Sequence, residues 1–155
     1  MKKALIIVYS YHHGNTAKIA DVMAEVLNAE VKNPQDIGID DLDDYSFIGF
    51  GAGIDSGKHY APLLELAYKL PVAQGKNAFI FSTSGVGGKK KTANDHKALR
   101  DILLSKGYII ADEFACLGLD TNSVLKYIGG INKGRPNETD LQSASAFAHN
   151  LKKYL

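Results

Sequence analysis

The chain opens on Lys3-Ala-Leu-Ile-Ile-Val-Tyr9, Ser10-Tyr-His-His-Gly-Asn-Thr16 and a helical pattern from Ala17 to Leu27. An apolar run without alternating polar residues is typical of a strand buried on both faces of a parallel sheet. The loop after it carries hydroxyl, amide and imidazole groups and a glycine, but no acidic residue. We therefore predict a strand, a tight polar loop and a helix whose N-terminus helps to cradle a phosphate group. The alternative is a plain strand–helix turn.

The rest of the chain repeats this alternation of apolar runs and helical patterns. Further strands are predicted near residues 29–31, 47–50, 78–81 and 108–116, with amphipathic helices between them and after the last one. This order predicts an α/β fold in which residues 1–155 form a single domain. Its core is a doubly wound, five-stranded parallel sheet of strand order 2-1-3-4-5, a three-layer sandwich with helices on both faces.

Helix ends are predicted from local signals. The expected N-caps are Asn15 or Thr16 for the first helix and Asn137 or Thr139 for the last. Pro62 suits the first position of the second helix. The third helix is expected to begin at a capping box formed by Thr92 and Asp95 and to stop at Gly107.

Composition narrows the class of protein. Of 155 residues, 45% are hydrophobic and 23% are charged, as in a soluble globular protein. Lysine and arginine number 18 against 17 acidic residues, so no strong field favours nucleic acid. The single cysteine, Cys116, excludes an intramolecular disulfide, fits a reducing compartment and is expected to be a core thiol. The first apolar run is too short for a signal peptide and no run is long enough to span a membrane, so we expect a cytoplasmic protein.

Two more loops follow predicted strands and should meet the first loop at one edge of the sheet. The second loop is Gly51-Ala-Gly-Ile-Asp-Ser-Gly-Lys-His-Tyr60. Its glycines allow the backbone to approach a flat ligand closely, and His59 and Tyr60 provide two rings for stacking. Phe81-Ser-Thr-Ser-Gly-Val-Gly-Gly88 offers hydroxyl groups and little steric bulk. Lys89 to Lys91 follow it as a solvated face or a docking site for a partner. A flexible loop without a ligand is the alternative for the second loop.

In their order along the chain, these motifs resemble the flavodoxin family. The resemblance rests on Ser10-x-x-x-Gly-Asn-Thr16, Gly51-Ala-Gly-Ile-Asp-Ser56 and Phe81-Ser-Thr-Ser-Gly85, and it extends over the whole chain. It implies a noncovalently bound FMN and transfer of single electrons between redox partner proteins. A monomer is expected and a dimer stays open.

The resemblance also implies a set of cofactor-binding residues and no catalytic side chain. The phosphate would be held by the first loop, and the isoalloxazine would lie between the second and third loops. A carbonyl beside Gly53 or Gly57 would turn towards the reduced flavin, and the sequence does not choose between them. The implied residues are Ser10, His12, His13, Gly14, Asn15, Thr16, Ala52, Gly53, Ile54, Asp55, Ser56, His59, Tyr60, Ser82, Thr83, Ser84, Gly85, Val86 and Gly87.

Three departures from the family pattern carry consequences. The phosphate loop has one residue more than the family's common form, Thr-x-Thr-Gly-x-Thr. In the third loop, Val86 stands where a tyrosine that stacks on the flavin is usual. The aromatic surface is then left to Tyr60, His59 or Tyr11. Typical flavodoxins are strongly acidic, whereas this chain carries a net charge of +1. A weaker acidic field opposes the anionic reduced flavin less, so we expect a less negative potential for its second reduction step.

Other functions stay open or are disfavoured. An FMN-dependent NAD(P)H:quinone oxidoreductase on the same fold is the main alternative, and a flavin-free interaction module is another. A P-loop is disfavoured because Lys90 stands where its second glycine is required, and the first loop lacks the glycines of a dinucleotide-binding fold. A receiver-type phosphoswitch lacks its phosphoacceptor, since Phe50-Gly51 ends the third strand. No helix or strand is expected from Leu117 to Pro136, and Gly118 to Thr121 are expected beside the third loop.

Overall fold

The computed structural model describes residues 3–10, 14–118 and 134–155. Within these ranges, strands and helices alternate as the sequence predicts. The strands are β1 (Ala4–Tyr9), β2 (Glu30–Lys32), β3 (Phe47–Asp55), β4 (Lys58–His59), β5 (Asn77–Ser84) and β6 (Ile109–Leu117). The helices are α1 (Asn15–Leu27), α2 (Ala61–Lys69), α3 (Lys89–Ser105) and α4 (Glu138–Leu151). Short 3-10 helices cover Pro34–Asp36, Ile39–Asp44 and Lys152–Tyr154.

Five parallel strands form the sheet in the order β2-β1-β3-β5-β6. The short β4 was not predicted from the sequence. When it is left out, β5 and β6 become the fourth and fifth strands, and the order is the predicted 2-1-3-4-5. β4 pairs antiparallel with β3 at its far end. Because β1 and β3 are neighbours while the chain leaves them in opposite directions, their carboxyl ends border the crevice where such sheets bind ligands.

Alternate residues of each central strand face two separate cores. In β1, Leu5 and Ile7 pack in the core formed with α2 and α3, whereas Ile6 packs in the core formed with α1 and α4. All three side chains are fully buried. The predicted three-layer sandwich is therefore confirmed, and it explains why the strand sequences are continuously apolar.

Aromatic rings on β5 lie against glycines on β3. Gly49 pairs with Phe79 and Gly51 pairs with Phe81 in the parallel ladder. A Cβ atom on Gly49 would lie 2.1 Å from the ring of Phe79, and one on Gly51 would lie 2.2 Å from the ring of Phe81. The two glycines therefore supply the space that these buried rings fill on the α1/α4 side of the sheet.

The helix ends confirm some predicted signals and contradict others. Of the two N-caps predicted for α4, the structure has Asn137, which also forms a capping box with Asp140. Pro62 lies in the first turn of α2, and α3 ends two residues before Gly107. The predicted capping box of α3 is wrong, because the helix begins earlier, at Lys89, and the carboxylate of Asp95 pairs with Lys91 one turn before it.

The edges of the sheet carry charged residues. The aspartates between residues 36 and 44 are exposed and belong to the connection that leads into the amino-terminal end of β3. On the other side, β6 pairs only with β5 among the described strands, and Ala111 is an extra residue where their register shifts. Within the described ranges, none of the helices combines the length and the apolar character that crossing a membrane requires.

The contact between Gly49 and Phe79 predicts a specific double-mutant result. Gly49→Ala should lower the free energy of unfolding by about 1–3 kcal/mol, because the new methyl group overpacks the ring. Adding Phe79→Leu should cost less in the Gly49→Ala background than in the wild type, since the ring that clashes is gone. Urea denaturation of the four proteins measures this coupling, and strictly additive effects would contradict the proposed contact.

Candidate functional site

The carboxyl ends of β1, β3 and β5 bring the three predicted loops to one edge of the sheet. The hydroxyl oxygens of Thr16, at the start of α1, and Thr83, near the end of β5, are 2.8 Å apart and buried. The amide of Gly118 donates to the carbonyl of Ser84 over 3.0 Å, which brings the residue after β6 beside the third loop. The predicted convergence of the loops is confirmed, while residues 119–121 of the predicted neighbouring segment lie outside the described residues.

The first loop leads into α1 through Gly14. Gly14 precedes the helix in the left-handed conformation with φ of 64°, which a glycine adopts without strain. A Cβ atom placed there would find no atom within 4 Å, so the loop leaves open space at this point. The predicted N-caps Asn15 and Thr16 are wrong, since both belong to the helix and are buried.

The hydroxyl of Ser10 faces the first turn of α1. Its Oγ atom accepts a hydrogen bond of 3.3 Å from the amide of Ala17. The first turn of a helix directs N–H groups that lack carbonyl acceptors within the helix along its axis, where an anion is favoured. This end of β1 and the start of α1 thus form a polar cradle without a carboxylate in its sequence. His12 and His13 lie outside the described residues, so their predicted contacts stay predictions.

The second loop is more regular than expected, because β3 continues to Asp55. Ala52 and Gly53 are central-strand residues, paired with Ser82 and Thr83 of β5. Beyond them, Ser56 and Gly57 have φ values of 53° and 79°. These values suit a two-residue turn of type I′, which matches the twist of a hairpin. The predicted loop from Gly51 to Tyr60 is therefore corrected to a β3–β4 hairpin with Ile54, Asp55 and Ser56 at its rim.

Tyr60 occupies the space between the ends of β1 and β3. Its amide donates to the carbonyl of Gly53 over 3.1 Å, and a Cβ atom on Gly53 would lie 2.6 Å from its ring. Its ring also meets that of Tyr9 edge-on, with centroids 5.9 Å apart. Tyr60 as a whole residue is half-buried beside the carboxyl ends of β1 and β3. Among the described residues, Tyr60 is therefore the aromatic side chain best positioned to contact a flat ligand there.

His59 does not offer a ring for stacking, which corrects the prediction. Its side chain is 1% exposed, and Nε2 lies 3.0 Å from the carbonyl oxygen of Phe81. The carbonyl can only accept, so Nε2 carries the proton and Nδ1 has a lone pair. Burial, with a smaller contribution from neighbouring His96, lowers the pKa of His59 to about 3. The hairpin sequence turns this residue inward because consecutive strand residues point to opposite faces.

The third loop is shorter than predicted, because β5 extends to Ser84. Ser82 is 1% exposed and Thr83 is 4% exposed, and their hydroxyl groups bond on opposite faces of the strand. The loop proper begins at Gly85, and the hydroxyl of Ser84 donates to the carbonyl of Val86 over 2.7 Å. Val86 is 59% exposed at the tip, with Gly87 exposed beside it.

A buried polar chain supports the end of β5 from the α3 side. Ser82 Oγ lies 2.7 Å from His96 Nε2, and His96 Nδ1 lies 2.8 Å from Glu113 Oε1. Arg100 donates to both carboxylate oxygens of Glu113, from Nε and Nη2, over 2.7 Å each. The ring of His59 packs against that of His96, with centroids 4.9 Å apart. The chain thus connects α3, β4, β5 and β6 beneath the candidate site.

Within this chain of hydrogen-bonded side chains, the charges of Glu113 and Arg100 stabilise each other. Burial alone would raise the pKa of Glu113, but hydrogen bonds from His96 and Arg100 outweigh it and lower that pKa to about 2. The carboxylate in turn raises the pKa of Arg100. Serine, histidine and glutamate in this order resemble a hydrolytic triad, yet Ser82 is enclosed in the sheet and cannot reach an acyl substrate. A supporting role fits the geometry.

Cys116 and the acidic residues give no second centre. The thiol is half-buried at the end of β6, and burial raises its pKa to about 12, so it stays protonated and weakly nucleophilic. The predicted core thiol is confirmed, because Cys116 packs against the core between the sheet and helices α1 and α4, in a half-buried position. Within residues 3–10, 14–118 and 134–155, histidine, cysteine and acidic side chains form no group of three that suits a metal ion.

His96, Arg100 and Glu113 are not among the residues predicted for the site, although two features of the sequence point to them. His96 precedes Leu99 by three positions and so falls on the apolar face of α3. Glu113 interrupts the apolar sequence of β6. A buried histidine and a strand carboxylate need polar neighbours, and the strand order would have brought these two together.

The fold and the loops at its crevice define the class of doubly wound α/β proteins with a ligand site at the β1/β3 switch point. A family model described as the flavodoxin domain matches residues 6–119, which contain all three loops. The chain therefore belongs to the flavodoxin family. An uncharacterized protein of Methanocaldococcus jannaschii is 44% identical over 151 residues, covering 97% of this chain and 99% of that protein.

Solved flavodoxin structures share the fold. Oxidised flavodoxin 2 from Bacillus cereus has a TM-score of 0.73 at 16% identity and covers 99% of each chain. A flavodoxin from the domain Archaea has a TM-score of 0.67 at 17% identity, covering 97% of this chain and 96% of that one. At these identities the similarity shows a common architecture and leaves the ligand to be argued from the residues.

The buried His59 predicts how stability depends on pH. An unfolded histidine has a pKa of about 6.5, whereas folded His59 has a pKa of about 3. Between these values the unfolded chain binds one more proton, so the free energy of unfolding should fall as the pH falls below about 6.5. His59→Gln should reduce this slope between pH 6.5 and 5 by about 1 kcal/mol per pH unit.

Urea denaturation across this pH range measures the slope, with His149→Gln as the matched control because His149 is exposed on α4. If His59→Gln does not fold, NMR of the wild-type ring gives the same test. A His59 ring that titrates between pH 5 and 7.5 would contradict the prediction.

Proposed function

We propose that the protein binds FMN noncovalently at the carboxyl edge of the sheet and carries electrons between redox partner proteins. The observation that carries this proposal is the cradle at the start of α1, where left-handed Gly14 leads into the helix and the Ser10 hydroxyl faces the amides of its first turn. The proposal rests on that geometry together with membership of the flavodoxin family.

The donors at the cradle fit a phosphate monoester. Backbone N–H and hydroxyl groups bind its oxygens without the cost of burying a second charge, and the helix dipole favours an anion. Ser10, Gly14, Asn15 and Thr16 are the described residues proposed to hold it. The hydroxyl pair of Thr16 and Thr83 fixes the cradle to β5, so the phosphate position and the third loop are mechanically linked.

The hairpin and the third loop flank the space proposed for the isoalloxazine. Tyr60 offers a ring on the hairpin side, and Ser84, Gly85 and Gly87 offer backbone with little side-chain bulk on the other. When bound, FMN supplies one- and two-electron redox chemistry, and the protein supplies orientation and electrostatics. The chain's own residues hold the ring system and leave its rim accessible, which suits exchange of electrons with a docked protein.

The turn at Ser56 and Gly57 is the proposed site of backbone adjustment towards the reduced cofactor. The carbonyl of Gly53 already accepts the amide of Tyr60 within the hairpin. Gly57, by contrast, is exposed and adopts positive φ, and its peptide can rotate at small steric cost. Of the two glycines that the family resemblance offers, Gly57 is therefore the one we propose.

Cofactor binding is tested by comparing FMN with riboflavin. The wild type should bind FMN far more tightly, because riboflavin lacks the phosphate. Ser10→Ala should weaken FMN binding by about tenfold, the order expected for one hydrogen bond to a charged group, and leave riboflavin binding unchanged. Isothermal titration calorimetry with both flavins measures these affinities.

The control for this experiment is Ser46→Ala, a serine before β3 at the opposite edge of the sheet. It should change neither affinity. Absence of FMN binding to the wild type, or equal affinity for FMN and riboflavin, would contradict the proposed cradle. Steady oxidation of NAD(P)H with a quinone by the loaded protein would favour the reductase over the carrier.

The charges around the site predict a less negative potential for the second reduction step than in acidic flavodoxins. Asp55 is the one carboxylate in the sequences of the three loops. The aspartates of the 36–44 segment lie before the amino-terminal end of β3, at the opposite end of that strand. Asp55→Asn should raise the potential by an amount on the order of 10 mV, since solvent screens an exposed charge. Asp40→Asn should leave it unchanged.

Potentiometry of the FMN-loaded proteins, with an acidic flavodoxin as reference, measures these potentials. A wild-type value as negative as that of the reference would overturn the expectation. A larger shift for Asp40→Asn than for Asp55→Asn would show that the charge nearest the loops is not the one that acts.

A further inference from the structure

A cluster of lysines borders the candidate site on the α3 side. Lys89 and Lys90 are exposed at the start of α3, with half-buried Lys91 beside them, and Lys58 is exposed on β4. β4 packs against α3 through the rings of His59 and His96. We call these four lysines the basic rim. It lies beside the third loop, whose tip is the exposed Val86.

Folding of α3 does not explain the lysines at its start. A helix N-terminus carries partial positive charge, and lysines there are unfavourable while acidic residues are favourable. The first turn of α3 contains three lysines and no acidic residue, and its N-cap, Gly88, has no capping side chain. A locally unfavourable sequence beside a binding site indicates a functional demand on those residues.

Nearby acids compensate only part of this charge. Asp95 pairs with Lys91 over 2.5 Å, and Asp55 lies opposite Lys58 in the hairpin. Lys89 and Lys90 form no ion pair with the described part of the chain. The rim therefore presents net positive charge to solvent beside the apolar tip of the third loop, although the whole chain is nearly neutral.

We propose that the basic rim and Val86 dock a redox partner protein that presents an acidic surface. This inference rests on the proposed electron-carrier function and names the charge of its partner. An apolar centre with a charged margin is a common arrangement in protein interfaces, and complementary charge speeds encounter and fixes orientation. Docking at this rim brings the partner to the loops that flank the proposed flavin site.

Nucleic acid is the less suitable occupant of this surface. Binding a phosphate backbone requires a basic groove that follows the strand, usually with aromatic rings for the bases. The rim is short, Asp55 and Asp95 pair with or lie opposite two of its lysines, and the exposed Val86 precedes Lys89 by three positions. An acidic protein surface matches such a small, discontinuous pattern.

The test uses an acidic [2Fe–2S] ferredoxin as the probe, and it does not require flavin. NMR titration of the isotope-labelled chain at low ionic strength should shift amide signals from Gly85 to Lys91. The double variant Lys89→Glu/Lys90→Glu should weaken binding by about tenfold, and added salt should weaken wild-type binding similarly. The matched control is Lys152→Glu/Lys153→Glu, an exposed lysine pair after α4 at the opposite edge.

Loss of binding in the rim variant, with the control unchanged, supports the proposal. Equal binding by both variants, shifts confined to another surface, or no binding by the wild type would overturn it. Tighter binding of a single-stranded DNA oligonucleotide through the same lysines would also overturn it, in favour of nucleic acid. If calorimetry shows no FMN binding while the ferredoxin still docks at the rim, the electron-carrier function fails and the docking surface remains.

Discussion

The contact of Phe79 and Phe81 with Gly49 and Gly51 fixes the register between β3 and β5. Side chains alternate between the two faces of a strand, so a shift of one residue would exchange everything that each face presents. In the observed register, Thr83 meets Thr16 on the α1 side and Ser82 meets His96 on the α3 side. Both ends of the candidate site therefore depend on two rings that fit only over glycines.

In this register, hydrogen bonds on the two faces of β5 hold the loops in place. On the α1 side, one hydroxyl pair joins the cradle that we propose for the phosphate to β5. On the α3 side, a longer chain of polar groups runs from Arg100 through Glu113 and His96 to Ser82. Buried polar groups of this kind favour one arrangement over others because each broken bond leaves a desolvated group behind. The loops themselves can then carry glycines and exposed residues.

The fold could be predicted from the sequence because its signals are local and repeated. Continuous apolar runs identified β1, β3, β5 and β6, and their alternation with helices implied the parallel order. The site was predicted in outline for the same reason, since parallel strands end at one edge. Strand lengths were underestimated because Gly51 to Asp55 and Ser82 to Ser84 carry residues typical of loops, and pairing with neighbouring strands outweighed that preference.

The other predictions that were wrong concern residues whose positions depend on contacts between parts of the chain that are distant in sequence. No local pattern distinguishes an inward His59 from an accessible one, because its burial follows from a hairpin turn that places β4 over α3. Likewise, the sequence predicts Asp95 in a capping box with Thr92, but α3 begins four residues earlier than that box requires, and Asp95 pairs with Lys91 instead. Sequence identified the residue types, and tertiary packing decided which groups they meet.

The bulge in β6 bears on how the molecule avoids associating with itself. A long outer strand offers unpaired amides and carbonyls to any other strand, and proteins commonly guard such strands with irregularities and charges. Here Ala111 breaks the regular spacing, and Asp112 and Glu113 follow at once, with Asp112 exposed. The side of the sheet farthest from β2 is thereby a poor template for further strands, and the backbone of this outer strand is guarded against pairing with a strand of another molecule.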